Sequence, residues 1–232
     1  CFPSVAVMLQ DMLGVTNECM AFDVSAACAG FIYALNIAEK YMRLDSINNA
    51  LIVGVEALSR ITDWSDRSTC VLFGDGAGAV VLQSSESPGI IATKLHADGQ
   101  YRKHLYARNH LYSDADNYYV QMQGREVFKV ATTKLGEVVE QILEKANMKK
   151  EDIDWLIAHQ ANKRIIDAAA RKLGMPPEKV ILTIEDHGNT SSASVPLVLD
   201  KAVRDNTIKP GDILLLEAFG GGFTWGAAII QY

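Results

Sequence analysis

At 232 residues the chain is long enough to bury a substantial core, and its 49% hydrophobic and 22% charged content is ordinary globular usage, which excludes a disordered or fibrous class. A formal net charge of -6 argues against nucleic acid as the main partner, since phosphate binding needs a basic face, and any acidic partner must find a local basic patch. No apolar run reaches the roughly 18 residues of a membrane span, and the start has no basic segment followed by an apolar one, so a cytoplasmic protein without membrane contact is expected.

The chain opens on Cys1 rather than Met, and Pro3 to Gly14 reads as a helix closed by a C-cap glycine, so the start is expected to lie inside a domain. A strand is predicted at Met20 to Val24, then the turn SAACAG, a helix from Phe31 to Arg43 and a strand from Ala50 to Val55. After a loop, CVLFGDGAGAVVLQ reads as two strands meeting at a glycine-rich turn. A polar stretch from Gln100 to Asn117 leads to a long amphipathic helix from Arg125 to Ala146, a strand from Trp155 to Ala158, and a helix from Lys163 to Leu173 stopped by Gly174. Val180 to Ile184 is predicted as a strand, Val195 to Arg204 as a helix and Asp212 to Leu216 as a strand. The turn FGGGFTWG follows, and then AAIIQY. Apolar runs alternating with 3.6-residue periodicity define an α/β fold with buried strands.

The second half repeats the first. Cys28 stands 22 positions before Ala50 and Asn189 stands 23 before Asp212, and Phe73-Gly74-x-Gly76 is echoed by Phe219-Gly220-x-Gly222. Order, spacing and turn chemistry together point to an internal duplication, which would set Cys28 and Asn189 at equivalent strand-to-helix turns facing one central site.

Four cysteines (Cys1, Cys19, Cys28, Cys70) stand far apart with no C-x-x-C pair, which favours a reduced compartment over a zinc site or a disulfide framework. Cys28 lies among small residues at a helix start, where the helix N-terminus should lower its thiol pKa. Taken alone, it reads more readily as a small core residue. His159 ends the strand DWLIAH, at the carboxyl edge of a sheet where ligands bind in α/β folds, although a structural histidine is equally consistent. Asn189 alone reads best as a helix cap, and His187 as structural. GDGAG opens a strand-like run rather than a helix, so it does not fit a dinucleotide fingerprint. Both glycine loops read first as tight turns, with the N–H groups of Gly220 to Gly222 as an alternative oxyanion donor.

Together, DVSAACAGF, HQAN from His159 to Asn162, HGNTSSASVP from His187 to Pro196, and EAFGGGFTWG strongly resemble the β-ketoacyl-acyl carrier protein synthase III family. The resemblance implies a thiolase-like five-layer α-β-α-β-α fold of two duplicated halves, with the first strands of the N-terminal half absent. It divides the chain into residues 1–86, which carry the nucleophile, and 87–232, which carry the histidine and asparagine. It further implies an acyltransferase that condenses an acyl-coenzyme A primer with malonyl-acyl carrier protein at the start of fatty acid synthesis. Coenzyme A thioester would be a substrate, with no cofactor or metal, and the enzyme would be a homodimer. By the same resemblance Cys28 is the nucleophile, and His159 and Asn189 bind the enolate formed by decarboxylation. The N–H groups of Cys28 and Gly221 form the oxyanion hole. Arg67, Phe128 and Asn162 contact coenzyme A, Leu58 and Phe73 line the acyl pocket, and Lys129, Arg164 and Lys172 dock the carrier protein. Another thiolase-superfamily condensing or acyl-transfer enzyme, or an inactive fragment acting as a binding partner, are the competing expectations.

Overall fold

The computed structural model describes residues 2–44, 47–87, 89–107 and 118–232. Helix α1 (Val5–Met12) is capped by the Ser4 hydroxyl, which accepts from the Val7 N–H at 3.3 Å. The Asp23 carboxylate accepts from the N–H groups of Val5 and Ala6, both at 2.9 Å, holding a negative charge at the helix N-terminus. Gly14 sits just past the helix at φ +66, as its C-cap role requires.

An extended stretch then leads through a 3-10 turn, Ala27–Ala29, into α2 (Gly30–Leu44). Strands β1 (Asn49–Glu56) and β2 (Gly76–Gln83) pair antiparallel as a two-stranded sheet. Next come β3 (Ile90–Ala97), the short pair β4 (Leu105–Tyr106) and β5 (Gln121–Met122), and the long α3 (Gly124–Ala146). Strand β6 (Trp155–Ala158), α4 (Lys163–Leu173), the single turn α5 (Ile184–His187), α6 (Ser194–Arg204), β7 (Ile213–Gly220) and β8 (Thr224–Gln231) complete the chain. The second sheet runs β3-β8-β7-β6, with β6 and β7 parallel and the other pairs antiparallel.

Strand periodicity divides the core between the two faces of this second sheet. On one face Leu215 and Phe219 of β7 pack with Val138 and Ile142 of α3 and Ile166 of α4. On the other, Leu214, Leu216 and Ala218 pack with Phe31 and Ile32 of α2 and Val198 of α6, and Ile52 of β1 closes this cluster from beyond the helices. The described residues therefore stack as α3 and α4, the large sheet, α2 and α6, and the β1–β2 sheet. The outer face of that last sheet exposes Leu51, Val55 and Val81.

Four expectations change. Met20 to Val24 is extended but not a strand, because no described strand lies alongside to complete its hydrogen bonds. Val180 to Ile184 makes a single parallel bridge, Val180 to Leu156, before turning into α5. Of CVLFGDGAGAVVLQ only Gly76–Gln83 is a strand, and its partner is β1, so GDGAG is not a hairpin turn. The fourth is one of extent: of the polar stretch Gln100 to Asn117 the described part forms a 3-10 turn and β4, and residues 108–117 lie outside the described residues.

The glycines of β1 and β2 serve close approach instead. A β-carbon on Gly54 would lie 2.4 Å from the Ser192 carbonyl oxygen, and one on Gly78 would lie 2.9 Å from Pro196 Cβ. The 3-10 turn and helix of the second half thus rest directly on the first-half sheet.

The duplication is legible in three dimensions, with a different register. Helix α6 begins 164 positions after α2 (194 − 30) and strand β7 begins 164 positions after β1 (213 − 49), and the left-handed residues Ala27 and Ser191 keep the same offset. Cys28 therefore corresponds to Ser192 rather than to Asn189.

Gly54→Ala should lower stability by about 2 kcal/mol or more, since its methyl meets backbone that cannot swing aside. Gly99→Ala, with open space around the added carbon, should stay within about 0.5 kcal/mol of the parent. Denaturant unfolding of the two variants checks both values, and an unaffected Gly54→Ala would contradict this account of the packing.

Candidate active site

Cys28 occupies the 3-10 turn that feeds α2. The turn is entered through Ala27 at φ +46, a left-handed conformation costing a β-carbon-bearing residue about 1 kcal/mol. Surrounding contacts hold it there. Thr224 Oγ1 donates to the Ala26 carbonyl at 2.7 Å, and a β-carbon on Gly220 would lie 2.5 Å from the Cys28 nitrogen, so the end of β7 lies against the Cys28 backbone.

Asn189 is held by three hydrogen bonds. Its N–H donates to the Leu72 carbonyl at 2.9 Å and its carbonyl accepts from the Gly74 N–H at 2.9 Å, which docks it beside Phe73. Its Oδ1 accepts from the Ser191 N–H at 2.9 Å, fixing the side-chain amide and leaving the NH2 group as the donor. His159 follows β6, where its N–H donates to the Glu217 carbonyl at 2.8 Å. Neither ring nitrogen of His159 has a partner among the described residues. Next to it, Gln160 Oε1 accepts from the N–H groups of Thr183 and Ile184, locking α5 to the end of β6.

Cys28, His159 and Asn189 line one cavity of about 440 Å³, together with Glu217 and Phe219 of β7. Of the other expected residues, Phe73, Phe128, Asn162 and Arg164 also line it. Asn162 caps α4 by accepting from the Arg164 N–H at 2.9 Å, and the Arg164 guanidinium lies 5.2 Å from the centre of the Phe128 ring. The remaining five are not among its lining residues. Leu58 is buried in a 3-10 turn beyond β1, and Arg67 is exposed on the following loop. Gly221 lies in the turn between β7 and β8, where a β-carbon would lie 3.0 Å from the Leu105 carbonyl. Lys129 is exposed on α3, and Lys172 sits about two turns along α4 from Arg164, where its stem covers Gly136. His187 is exposed at the end of α5.

Burial sets the protonation states here. It pulls the His159 pKa down to about 4 and pushes the Glu217 carboxyl up to about 8, so both favour their neutral forms near neutrality. The thiol of Cys28 is pushed up to about 11, chiefly by burial, against a lowering hydrogen bond from Ser191 and with a further rise from the Glu56 charge. This reverses the expected depression at the helix start. A helix terminus contributes only roughly 0.3–1 kcal/mol, and the cost of burying the thiolate outweighs it here.

Glu217 opens the motif EAFGGGFTWG without an expected role of its own, although a lone acid inside the apolar run ILLLEAFG is the available signal. Arg125, at the start of α3, also lines the cavity unanticipated. Cys19, Cys28 and Cys70 are free thiols, and Cys1 lies outside the described residues.

Solved structures share this architecture over the whole chain. The 3-oxoacyl-[acyl-carrier-protein] synthase III of Aquifex aeolicus superposes with TM-score 0.94 at 47% identity, covering 100% of this chain and 73% of that one. The Thermus thermophilus enzyme gives 0.94 at 42% identity with the same coverage. A priming β-ketosynthase from the R1128 polyketide pathway gives 0.92 at 35% identity over 99% of this chain and 70% of its own. The fold is thus the thiolase-like fold, and the class is that of the condensing enzymes. Family models described as 3-oxoacyl-[acyl-carrier-protein] synthase III and its C-terminal region match residues 22–99 and 143–232. The synthase III of Coxiella burnetii is 55% identical over 230 residues, 99% of this chain and 72% of the relative. The chain belongs to the β-ketoacyl-acyl carrier protein synthase III family.

Carboxymethylation of Cys28 should accelerate about tenfold per pH unit from pH 7 to beyond pH 9 with no plateau, because the thiolate fraction is still rising throughout. Site-resolved mass spectrometry of the alkylated protein reads this directly. A plateau below about pH 8 would mean that the helix terminus overrides burial.

Proposed function

We propose that this enzyme performs its decarboxylating Claisen condensation on an acyl group carried by Cys28, with His159 and Asn189 as the enolate-binding pair. The observation that carries this reading is the convergence of the three side chains on one largely apolar cavity from three separate segments. Cys28 Sγ attacks the acyl-coenzyme A thioester carbon, and its proton leaves with the coenzyme A thiol. Because the resting sulfur is a thiol, proton loss and attack go together rather than through a stored thiolate.

Malonyl-acyl carrier protein then enters. Loss of carbon dioxide turns its thioester into an enolate, whose oxygen takes hydrogen bonds from the His159 ring and the Asn189 amide. A neutral imidazole suits that task, and burial keeps His159 neutral. The enolate carbon attacks the acyl carbonyl, its oxyanion is held by the N–H groups of Cys28 and Gly221, and Cys28 is released. The contact of Gly220 with the Cys28 nitrogen supports that oxyanion site by bringing the glycine turn against it.

In this reading Phe128 and Asn162 flank the entering coenzyme A arm and Arg67 meets its nucleotide, while Phe73 and Leu58 bound the acyl chain. Lys129, Arg164 and Lys172, with Arg125 beside them, offer positive charge to an acidic carrier protein. Acetyl-coenzyme A is the proposed primer, no cofactor is required, and the enzyme works as a cytoplasmic homodimer whose two thiolase halves divide near residue 86. No described helix is long and apolar enough to cross a membrane. The likeness to a priming polyketide synthase supports a second reading, in which the same chemistry starts a polyketide chain.

His159→Ala should still gain an acetyl group on Cys28 from acetyl-coenzyme A, while carbon dioxide release from malonyl-carrier protein falls by about 10²- to 10³-fold. Intact mass and labelled carbon dioxide release measure the two half-reactions separately. Undiminished release would remove His159 from the enolate site, and the product mass across carrier proteins separates the fatty acid from the polyketide reading.

A further inference from the structure

The proposed cycle does not conserve protons, and Glu217 is placed to balance it. Acyl transfer exchanges one thiol proton for another. Condensation does not, because the malonyl carboxylate departs as carbon dioxide and the electron pair it leaves becomes the new carbon–carbon bond. The pair of the broken thioester C–S bond then returns to Cys28 Sγ. One proton must reach that sulfur in every turnover, inside a cavity that disfavours a thiolate.

The titratable or charged groups lining the cavity are Cys28, His159, Arg125, Arg164 and Glu217. Both arginines are exposed, and a guanidinium does not serve as a proton donor in proteins. His159 is neutral, and it can give its single ring proton to Sγ only if a second donor replaces that proton at the same time. Glu217 remains. It is fully buried, both carboxyl oxygens lack a hydrogen-bond partner among the described residues, and no described cation pairs with it. Strand alternation points it to the α3/α4 side with Leu215 and Phe219, where its cavity neighbours Ala131, Leu135, Ile165 and Ile166 are apolar. Its own backbone carbonyl accepts the His159 N–H at 2.8 Å and its register partner on β6 is Ala158, so Glu217 and His159 stand at neighbouring backbone positions of the cavity edge, with carboxyl and imidazole not hydrogen-bonded to each other in this state. An unpaired carboxylate in such a place is strongly disfavoured, and a carboxylic acid is not.

We propose that Glu217 is the proton reservoir of the pocket, returning the Cys28 thiol to its protonated form after each condensation by way of His159. Through one bridging water or on closing to hydrogen-bond reach, the Glu217 carboxyl proton passes to the unprotonated ring nitrogen as the other nitrogen gives its proton to Sγ. The carboxylate left behind regains a proton from water once product leaves. Glu217 thus acts through His159 and touches no substrate atom. This rests on the condensing reading above.

The test uses Glu217→Gln, which keeps the shape and hydrogen-bonding capacity of the side chain but holds no transferable proton. Intact mass should show Cys28 acylated from acetyl-coenzyme A, whereas steady-state condensation with malonyl-carrier protein should fall at least about tenfold at pH 7. In the wild type the condensation rate should fall as pH rises through about 8, as the reservoir empties, and this alkaline limb should vanish in Glu217→Gln and survive, displaced, in Glu217→Asp. The infrared spectrum of the wild type at pH 7 should contain a protonated-carboxyl band that Glu217→Gln lacks. A purely structural role would lower the rate without altering the limb. Condensation by Glu217→Gln at wild-type rates from about pH 6 to 10 overturns the proposal. So does a wild-type spectrum without that band, a measurement that stands even where the variant does not fold. A wild type that takes no acyl group on Cys28 overturns the condensing reading itself, and the reservoir with it.

Discussion

Dehydration of the central cavity governs the rest of the site. One cause moves three groups in two directions: it raises the Cys28 thiol and the Glu217 carboxyl and lowers the His159 imidazolium, because each loses more on burial in its charged form. The outcome is a set of neutral hydrogen-bonding groups in an apolar surround. Unmet, each such buried group costs about 1–3 kcal/mol, and a substrate that supplies partners recovers that energy on binding. The same dryness strengthens every hydrogen bond to an oxyanion or enolate formed there.

Backbone contact between the halves holds Cys28 and Asn189, two residues of that cavity, in place. Gly54 and Gly78 let the Ser191–Ala193 turn and α6 lie on the first sheet, and Gly220 lets the end of β7 lie on the Cys28 turn. Asn189 is hydrogen-bonded to the backbone on either side of Phe73, so a second-half residue is anchored by the first half. A side chain at Gly220 would push apart the backbones that meet at Cys28, a residue of the cavity wall.

Elements with an unambiguous local signal were legible in the sequence. Strand Trp155–Ala158 and helix Lys163–Leu173 carry their own start and stop chemistry, with Asn162 as N-cap and Gly174 at φ +68 closing the helix. Met20 to Val24 and Val180 to Ile184 share the composition of strands, but a strand is a paired object, and pairing is decided by residues far away in sequence. Strand β3, between Gln83 and Gln100, was not legible, because IIATKLHA breaks strict alternation. The three central residues were legible through motifs, and the protonation of Cys28 was not. Helix-terminus effects are local and visible in sequence, whereas desolvation is set by how deeply the finished fold covers the sulfur.

The corrected register of the duplication shows how two copies of one turn came to do different work. At the common offset Cys28 corresponds to Ser192, and Gly220 corresponds to Glu56, each at the end of a strand beside the turn. In one copy the Glu56 carboxylate accepts from the Ser192 N–H at 3.3 Å and from its hydroxyl at 2.7 Å, so the turn is capped and chemically closed. In the other copy a glycine stands where that carboxylate would be, against the Cys28 nitrogen, and no side chain can reach across to occupy the N–H. A carboxylate there would both fill the proposed oxyanion site and repel the charge that develops in it. Removing one side chain from an otherwise repeated contact is sufficient to turn a structural cap into an open hydrogen-bond donor beside the proposed nucleophile.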